Sequence, residues 1–232
     1  MDRFLQGRTA LVTGSTSGIG LAIAQALAAA GARVAINGLG TAEQVDAALA
    51  SVAATGSESR HFGADLRNPA EIEAMMAAVQ DWGALDVLVN CAGIQHAAPL
   101  AEQPAHKWDD IIAINLSAAF HTMQQALPGM AGRGYGRVVN IASVHGLVAS
   151  KNKAPYVASK FGIVGLSKVA ALEYAAGGSR DDGVRALLEE KQPSLRMSLP
   201  EDIAAMVVWL CRREAHNLTG TALPMDGAWT AQ

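Results

Sequence analysis

The stretch from Thr9 to Gly31, T-A-L-V-T-G-S-T-S-G-I-G-L-A-I-A-Q-A-L-A-A-A-G, decides the fold. Thr9 to Thr13 reads as a short strand, Gly14 to Gly20 as a glycine turn, and the Ala-rich run to Ala30 as a helix that Gly31 is placed to stop. In a strand, glycine turn and helix of this kind the backbone comes close to a ligand, and free N–H groups at the helix start attract phosphate. The spacing G-x-x-x-G-x-G matches neither the G-x-G-x-x-G fingerprint nor a phosphate loop with its lysine. Thr16 stands where a G-x-S-x-G nucleophile turn needs serine. Such a loop on its own is often a plain turn. Its place between a first strand and a first helix points instead to a dinucleotide site formed by Gly14, Ser15, Thr16, Ser17, Gly18, Ile19 and Gly20.

Outward from this unit, short β-like runs alternate with longer helical patterns, which predicts an α/β fold of one doubly wound parallel sheet with helices on both faces. Arg33 to Asn37, Ser59 to Gly63, Val87 to Asn90 and Arg137 to Ala142 are the further strands. Thr41 with Gln44 predicts a capping box, and Asn68-Pro69 a cap and first turn. Pro104 to Met130 reads as two helical segments or one bent helix, and a helix from Pro155 reaches about Ala176. Arg180 to Lys191 and Pro200 to Arg213 are helical, and Thr221 to Met225 is strand-like. The 232 residues, 50% of them hydrophobic, are enough for one domain with a substantial core, spanning 1–232.

Composition excludes several classes of function. The net charge is −3, with 18 basic and 21 acidic residues mixed along the chain, so nothing points to nucleic acid or a membrane surface as partner. Cys91 and Cys211 lie far apart in apolar surroundings, with no His/Cys cluster at metal spacing, and read as inert core thiols in a reducing compartment. The opening M-D-R-F-L-Q-G-R has no apolar leader core, and the longest apolar run, Ala204 to Cys211, falls far short of the roughly 18 residues of a membrane span. A cytoplasmic protein acting on a small molecule is expected.

Chemistry concentrates in S-V-H-G-L-V-A-S-K-N-K-A-P-Y-V-A-S-K, Ser143 to Lys160. Tyr156 and Lys160 stand four apart on a helix whose first turn suits Pro155, so one face presents a phenol and an ammonium together. A nearby cation favours phenolate, which equips a tyrosine as acid or base toward an alcohol or ketone. A bare Y-x-x-x-K is usually a solvated helix face, and the rest of the chain has to decide between the two readings. Ser143 can reach the same oxygen if its loop folds back over the helix start. Asn37, at the end of strand two, is placed to meet the adenosine ribose, and no arginine or lysine between Asn37 and Ala42 awaits a 2′-phosphate, which favours NAD over NADP. Asn115 sits among apolar neighbours, either bonded to a helix carbonyl or holding a water in a proton path.

Thr13 to Gly20, N-C-A-G (Asn90 to Gly93), Asn115, Ser143 and Y-V-A-S-K (Tyr156 to Lys160) together resemble the short-chain dehydrogenase/reductase family, in the right order along most of the chain. The resemblance implies a Rossmann-type domain holding NAD. Tyr156 would be the acid/base, Lys160 would hold the nicotinamide ribose and tune the phenol, Ser143 would bind the reacting oxygen, and Asn115 would anchor a relay water. Asp65 and Leu66 would flank the adenine, and Asn90, Ala92 and Gly93 would line the middle of the cofactor. Cys91 stands where the family usually has a second asparagine. The segments A-G-I-Q-H, N-I-A-S-V-H-G-L-V-A-S-K-N-K-A-P-Y, E-K-Q-P-S and D-G-A-W-T are similar to those of family members that oxidise short 3-hydroxy acids, (R)-3-hydroxybutyrate to acetoacetate above all. Gln95, His145 and Lys153 then supply donors for a carboxylate, and Trp229 an apolar wall. The alternatives are another ketone or 3-oxoacyl reductase of the family, and an impaired dinucleotide-binding protein. Family resemblance also implies a homotetramer.

One departure runs against the family. There, the helix that carries the tyrosine leads to a sixth parallel strand and a lobe closing over the substrate. After Ala176 this chain reads G-G-S-R-D-D-G, which has no room for a strand of about 5 residues with connections of about 2–6 on each side. The expectation is a genuine deletion of some 25 to 30 residues, with Thr221 to Met225 pairing directly with Gly136 to Ala142 in a six-stranded sheet. The site would then be open to water and turnover weak.

Overall fold

A computed structural model describes residues 3–174 and 199–225. Its sheet is built on β1 (Thr9–Val12), which is buried along its whole length. β2 (Arg33–Ile36), β3 (Ser59–His61), β4 (Leu85–Asn90) and β5 (Arg137–Asn140) complete a parallel sheet of order β3-β2-β1-β4-β5 among the described residues. The chain runs outward from β1 to β3, then returns to the other side of β1 for β4 and β5. The order therefore reverses between β1 and β4, and a crevice opens beyond their C-terminal ends.

Alternate residues of each strand feed two cores. Ala10, Val12, Val34, Ile36, Val87 and Val89 face Ile23 and Leu27 of α1 (Gly18–Ala29) together with Ala204 and Val207 of the helix Pro200–Leu210. Leu11, Ala35, Leu85 and Leu88 face α3 (Pro69–Trp82) and α5 (Ala118–Gly132) through Ile72, Met76, Met123 and Ala126. α2 (Ala42–Ala53) begins with the expected capping box of Thr41 and Gln44, and α3 with Asn68 accepting from the Ala70 N–H and Pro69 in its first turn. The run from Pro104 is one bent rod. It comprises α4 (Ala105–Ile112), a π-helical turn Ala113–Ser117, and α5. α6 (Ala154–Tyr174) follows, and Pro200–Leu210 is α7. No described helix is long and apolar enough to cross a membrane.

The expected sixth strand is corrected by the structure. Thr221 to Met225 is described without any ladder, and β5 pairs only with β4 among the described residues. The cause is where the segment starts. Gly220, at φ +64°, lies against α6, where a Cβ would stand 3.3 Å from the Cβ of Ala171, so the chain approaches the flank of a helix and not the edge of β5. β5 is half-buried throughout, whereas β1 and β4 are buried. The expected helix Arg180 to Lys191, the linker after Ala176, and Trp229 lie outside the described residues.

Candidate active site

The glycine turn after β1 and the segment after β4 are locked together. Gly14 has φ +62°, and a Cβ there would stand 2.6 Å from the Cα of Ala92, so the two backbones pack directly. Thr13, which sequence reasoning passed over, closes the contact: its Oγ1 accepts from the N–H groups of Cys91 and Ala92 at 3.0 and 3.2 Å. Buried Ser15 donates to the Val12 carbonyl (2.7 Å) and accepts from the Asn37 N–H (3.1 Å), joining the turn to the end of β2. Thr16 packs over Gly38, where a Cβ would meet its Oγ1 at 2.6 Å.

Ser17 precedes α1 without capping it through its side chain, which leaves the start of a twelve-residue helix open to an anion. Gly18 has φ +56° and open space where a side chain would stand, and Ile19 is exposed beside it. Gly20 is held against the Gly14 carbonyl. Asn37 is fully buried. Its Nδ2 donates to the carbonyls of Phe62 and Ala64, and its Oδ1 has no protein partner. Asp65 holds Arg67 in a fork at 3.0–3.1 Å to Nε, and that guanidinium keeps the carboxyl below its ordinary range; Leu66 beside it is buried. An orphaned buried acceptor, an uncapped helix start and a crevice at the strand ends fit a nicotinamide dinucleotide.

The side chain of Asn90 is bonded on both ends of its amide. Its amide donates to Asn140 Oδ1 and accepts from Thr122 Oγ1, both at 2.8 Å, tying β4 to β5 and α5. Gly93, two residues past Cys91, leaves space in which a Cβ would stand 3.5 Å from Asn115 Oδ1 and 3.9 Å from Lys160 Nζ. Asn115 sits in the π-helical turn, and its protein partners are the main chain of Ile94 and the hydroxyl of Ser159 in place of a carbonyl of its own helix. Its Oδ1 accepts from the Ile94 N–H (2.8 Å), and its Nδ2 donates to the Ile94 carbonyl (2.9 Å) and to Ser159 Oγ (3.2 Å). Ser159 in turn donates to the Tyr156 carbonyl at 2.8 Å. The turn of α6 that carries the tyrosine is thus tied to the loop after β4. The i, i+3 spacing of Tyr156 and Ser159 was visible in the sequence, but the partner across the fold was not.

Lys160 is buried, donates from Nζ to the Ile141 carbonyl at 2.6 Å, and lies 5.7 Å from the centre of the Tyr156 ring. Burial pushes its ammonium down to about 8, against a small opposing effect of Cys91, whose thiol burial pushes up to about 11. Cys211 is likewise buried and raised to about 12. Lys153 stands 5.9 Å from the centre of the Tyr156 ring, and the imidazole of His145 meets the same ring edge to face at 5.7 Å. Ser143 opens the short turn Val144–Gly146 and accepts from the His145 N–H at 3.2 Å. Gln95 is exposed on the loop after β4, which a bond from the Ala98 N–H to the Asn152 carbonyl (3.0 Å) holds beside the loop bearing Lys153. His145, Lys153 and Lys160 are therefore gathered around the Tyr156 ring, with Ser143 bonded to His145 and Asn115 linked through Ser159 to the Tyr156 main chain.

Residues 8–184 match the family model for short chain dehydrogenases. The chain is 46% identical to D-beta-hydroxybutyrate dehydrogenase of Cupriavidus necator, covering 98% of this chain and 100% of the relative. It is 41% identical to D-beta-hydroxybutyrate dehydrogenase of Rhizobium meliloti, covering 97% and 99%. The first of these alignments runs over 260 positions against 232 residues here, so at least 28 positions have no residue of this chain. A solved structure described as a short-chain alcohol dehydrogenase of Sinorhizobium meliloti superposes with a TM-score of 0.87 at 33% identity, covering 98% of both chains. The glycine turn, the crevice at the strand reversal and these likenesses agree: the chain belongs to the short-chain dehydrogenase family of nicotinamide-dinucleotide oxidoreductases.

Proposed function

We propose that this chain interconverts (R)-3-hydroxybutyrate and acetoacetate with NAD as its cofactor. The observation that carries the reading is the pair of ammonium groups close to Tyr156, Lys160 at 5.7 Å and Lys153 at 5.9 Å from the ring centre. The Lys160 cation is buried, and Lys153 belongs to a half-buried loop position. A small hydroxy acid offers two matching groups: an alcohol for the phenol and a carboxylate for Lys153, with Gln95 on the adjacent loop as a second donor. The two D-beta-hydroxybutyrate dehydrogenases aligned over nearly their whole length support the same substrate.

When bound, the nicotinamide accepts or returns the hydride. Tyr156 takes the alcohol proton in oxidation and gives it back in reduction, and Ser143 donates to the reacting oxygen. Lys160 meets the nicotinamide ribose, and Asn115 holds Gly93 and Ile94 in place beside it. Gly14 to Gly20 and the start of α1 take the pyrophosphate. The β2–α2 loop, N-G-L-G-T from Asn37 to Thr41, offers no cation to a 2′-phosphate, and this supports NAD over NADP.

The test is NADH oxidation by the purified protein with acetoacetate, beside a neutral ketone and a 3-oxoacyl thioester. Acetoacetate is expected to be preferred, and Tyr156→Phe to lose turnover by at least about a thousandfold while still binding NADH. Equal rates on the neutral ketone defeat the carboxylate assignment, and comparable turnover by Tyr156→Phe defeats the assignment of the acid/base.

A further inference from the structure

Asn152 has none of the roles assigned above. Among the described residues it is the one non-glycine residue with a positive φ, +63°, in the left-handed region where a Cβ crowds the carbonyl oxygen that follows it. Asparagine and glycine enter that region at low cost, and β-branched residues do not. Asn152 is exposed, yet its carbonyl accepts the Ala98 N–H at 3.0 Å and so joins its turn to the loop bearing Gln95. The next residue, Lys153, directly precedes α6 and accepts the Val157 N–H on its own carbonyl at 2.8 Å. A lysine is poorly suited to that place. Its side chain cannot accept the N–H groups of a helix start, and the positive end of the helix dipole repels its ammonium. A left-handed residue followed by a cation set against a helix start, both within four positions of Tyr156, is a local conflict of the kind that functional sites carry.

We propose that Asn152 is a positioning residue: its left-handed backbone clamps the loop of Lys153 to the loop of Gln95 and so fixes the spacing of two donors for the substrate carboxylate. The proposal deepens the functional reading above and rests on its assignment of Lys153 to that carboxylate. The physical link is the φ rotation itself. It sets the Asn152 carbonyl and Lys153, which follow it in the chain, against the turn that precedes them. At a negative φ the bond to Ala98, the preceding turn and the start of α6 cannot all keep their present places. The asparagine side chain is not asked to touch the substrate. Its part is to tolerate a backbone that most residues resist.

The experiment measures acetoacetate reduction by the full chain, by Asn152→Val and by Asn152→Gly, with Asn152→Val repeated in a Lys153→Ala background. Asn152→Val should raise KM for acetoacetate about tenfold with kcat little changed, whereas Asn152→Gly, which keeps the left-handed backbone, should stay within about twofold of the unmutated protein. With Lys153→Ala already present, Asn152→Val should change KM by less than about twofold, because the ammonium it would misplace is gone. An unchanged KM in Asn152→Val overturns the proposal. So does an Asn152→Gly variant as impaired as Asn152→Val, since the side chain and not the backbone would then matter, and so does an equal effect in the two backgrounds. A second readout needs no turnover. The Ala98 amide should exchange its hydrogen at least about tenfold faster in Asn152→Val than in the unmutated protein and Asn152→Gly, with the amides of Ala10 to Val12 unchanged as the mark of an intact fold. Equal exchange at Ala98 in all three overturns the proposal. A protein inactive on acetoacetate would sink the functional reading, while the exchange still decides whether the backbone of Asn152 clamps the two loops.

Discussion

Lys160 shows at the scale of one residue how a site is held against stability. Its ammonium sits in a buried position, bonded to the Ile141 carbonyl, and burial lowers its pKa from 10.5 to about 8. Below pH 8 the group is charged in folded and unfolded chains alike, and folding bears the full penalty, about 3 kcal/mol as an order of magnitude. Between about 8 and 10.5 the unfolded chain still binds the proton that the folded one has released, so this group's contribution to stability rises with pH; above 10.5 the penalty is gone. Lys160→Met is therefore expected to abolish turnover and yet stabilise the fold at pH 7 by about 1–2 kcal/mol, after subtracting the bond lost at Ile141. Urea unfolding at pH 7 and pH 10 checks it: the gain should shrink or vanish at the higher pH, and a variant less stable at both would show that the lysine is not a strained group.

Between elements, the contact that sets the cofactor crevice is the one joining β1 to the segment after β4, and Thr13 makes it. Its hydroxyl takes two main-chain N–H groups, those of Cys91 and Ala92. Thr13→Val keeps the shape and removes the acceptor, leaving two partly buried amides unpaired. A loss of about 2–4 kcal/mol is expected in denaturant unfolding, with NADH affinity weakened at least about tenfold because Gly14 and Ala92 lose their fixed separation. An unchanged unfolding midpoint would mean that the packing of Gly14 against Ala92 suffices by itself. The position of Thr13, last in a strand and just before the first glycine, is plain in the sequence. Its partners lie 78 and 79 residues away, and no local pattern names them.

For the molecule as a whole, the shortened chain matters most at β5. The alignment gap of at least 28 positions agrees with the sequence expectation of a deletion, while Thr221 to Met225 forms no ladder with β5 among the described residues. Ile141, the acceptor of Lys160, directly follows the C-terminal end of β5, so the stability of this half-buried strand bears directly on the site. Native-state hydrogen exchange should find the amides of Val138 to Asn140 exchanging more than about tenfold faster than those of Ala10 to Val12, which have strands on both sides. Equal protection would mean that β5 is as well covered as the centre of the sheet.

The sequence by itself determined the α/β class, the strand and helix order through α6, the caps at Thr41 and Asn68, and the identity of the tyrosine, lysine, serine and asparagine around which the site is built. These are legible because strand and helix periodicity, capping chemistry and glycine spacing act over a few neighbouring residues. Tertiary structure alone decided which side chains are bonded to which. Asn115 grips the main chain of Ile94, Asn90 bonds to Asn140 and Thr122, His145 is shared between two serines, and Gly220 lies against α6. Each of these depends on distances between segments far apart in the chain. They are set by how two cores pack on one sheet, and no short stretch of residues encodes them.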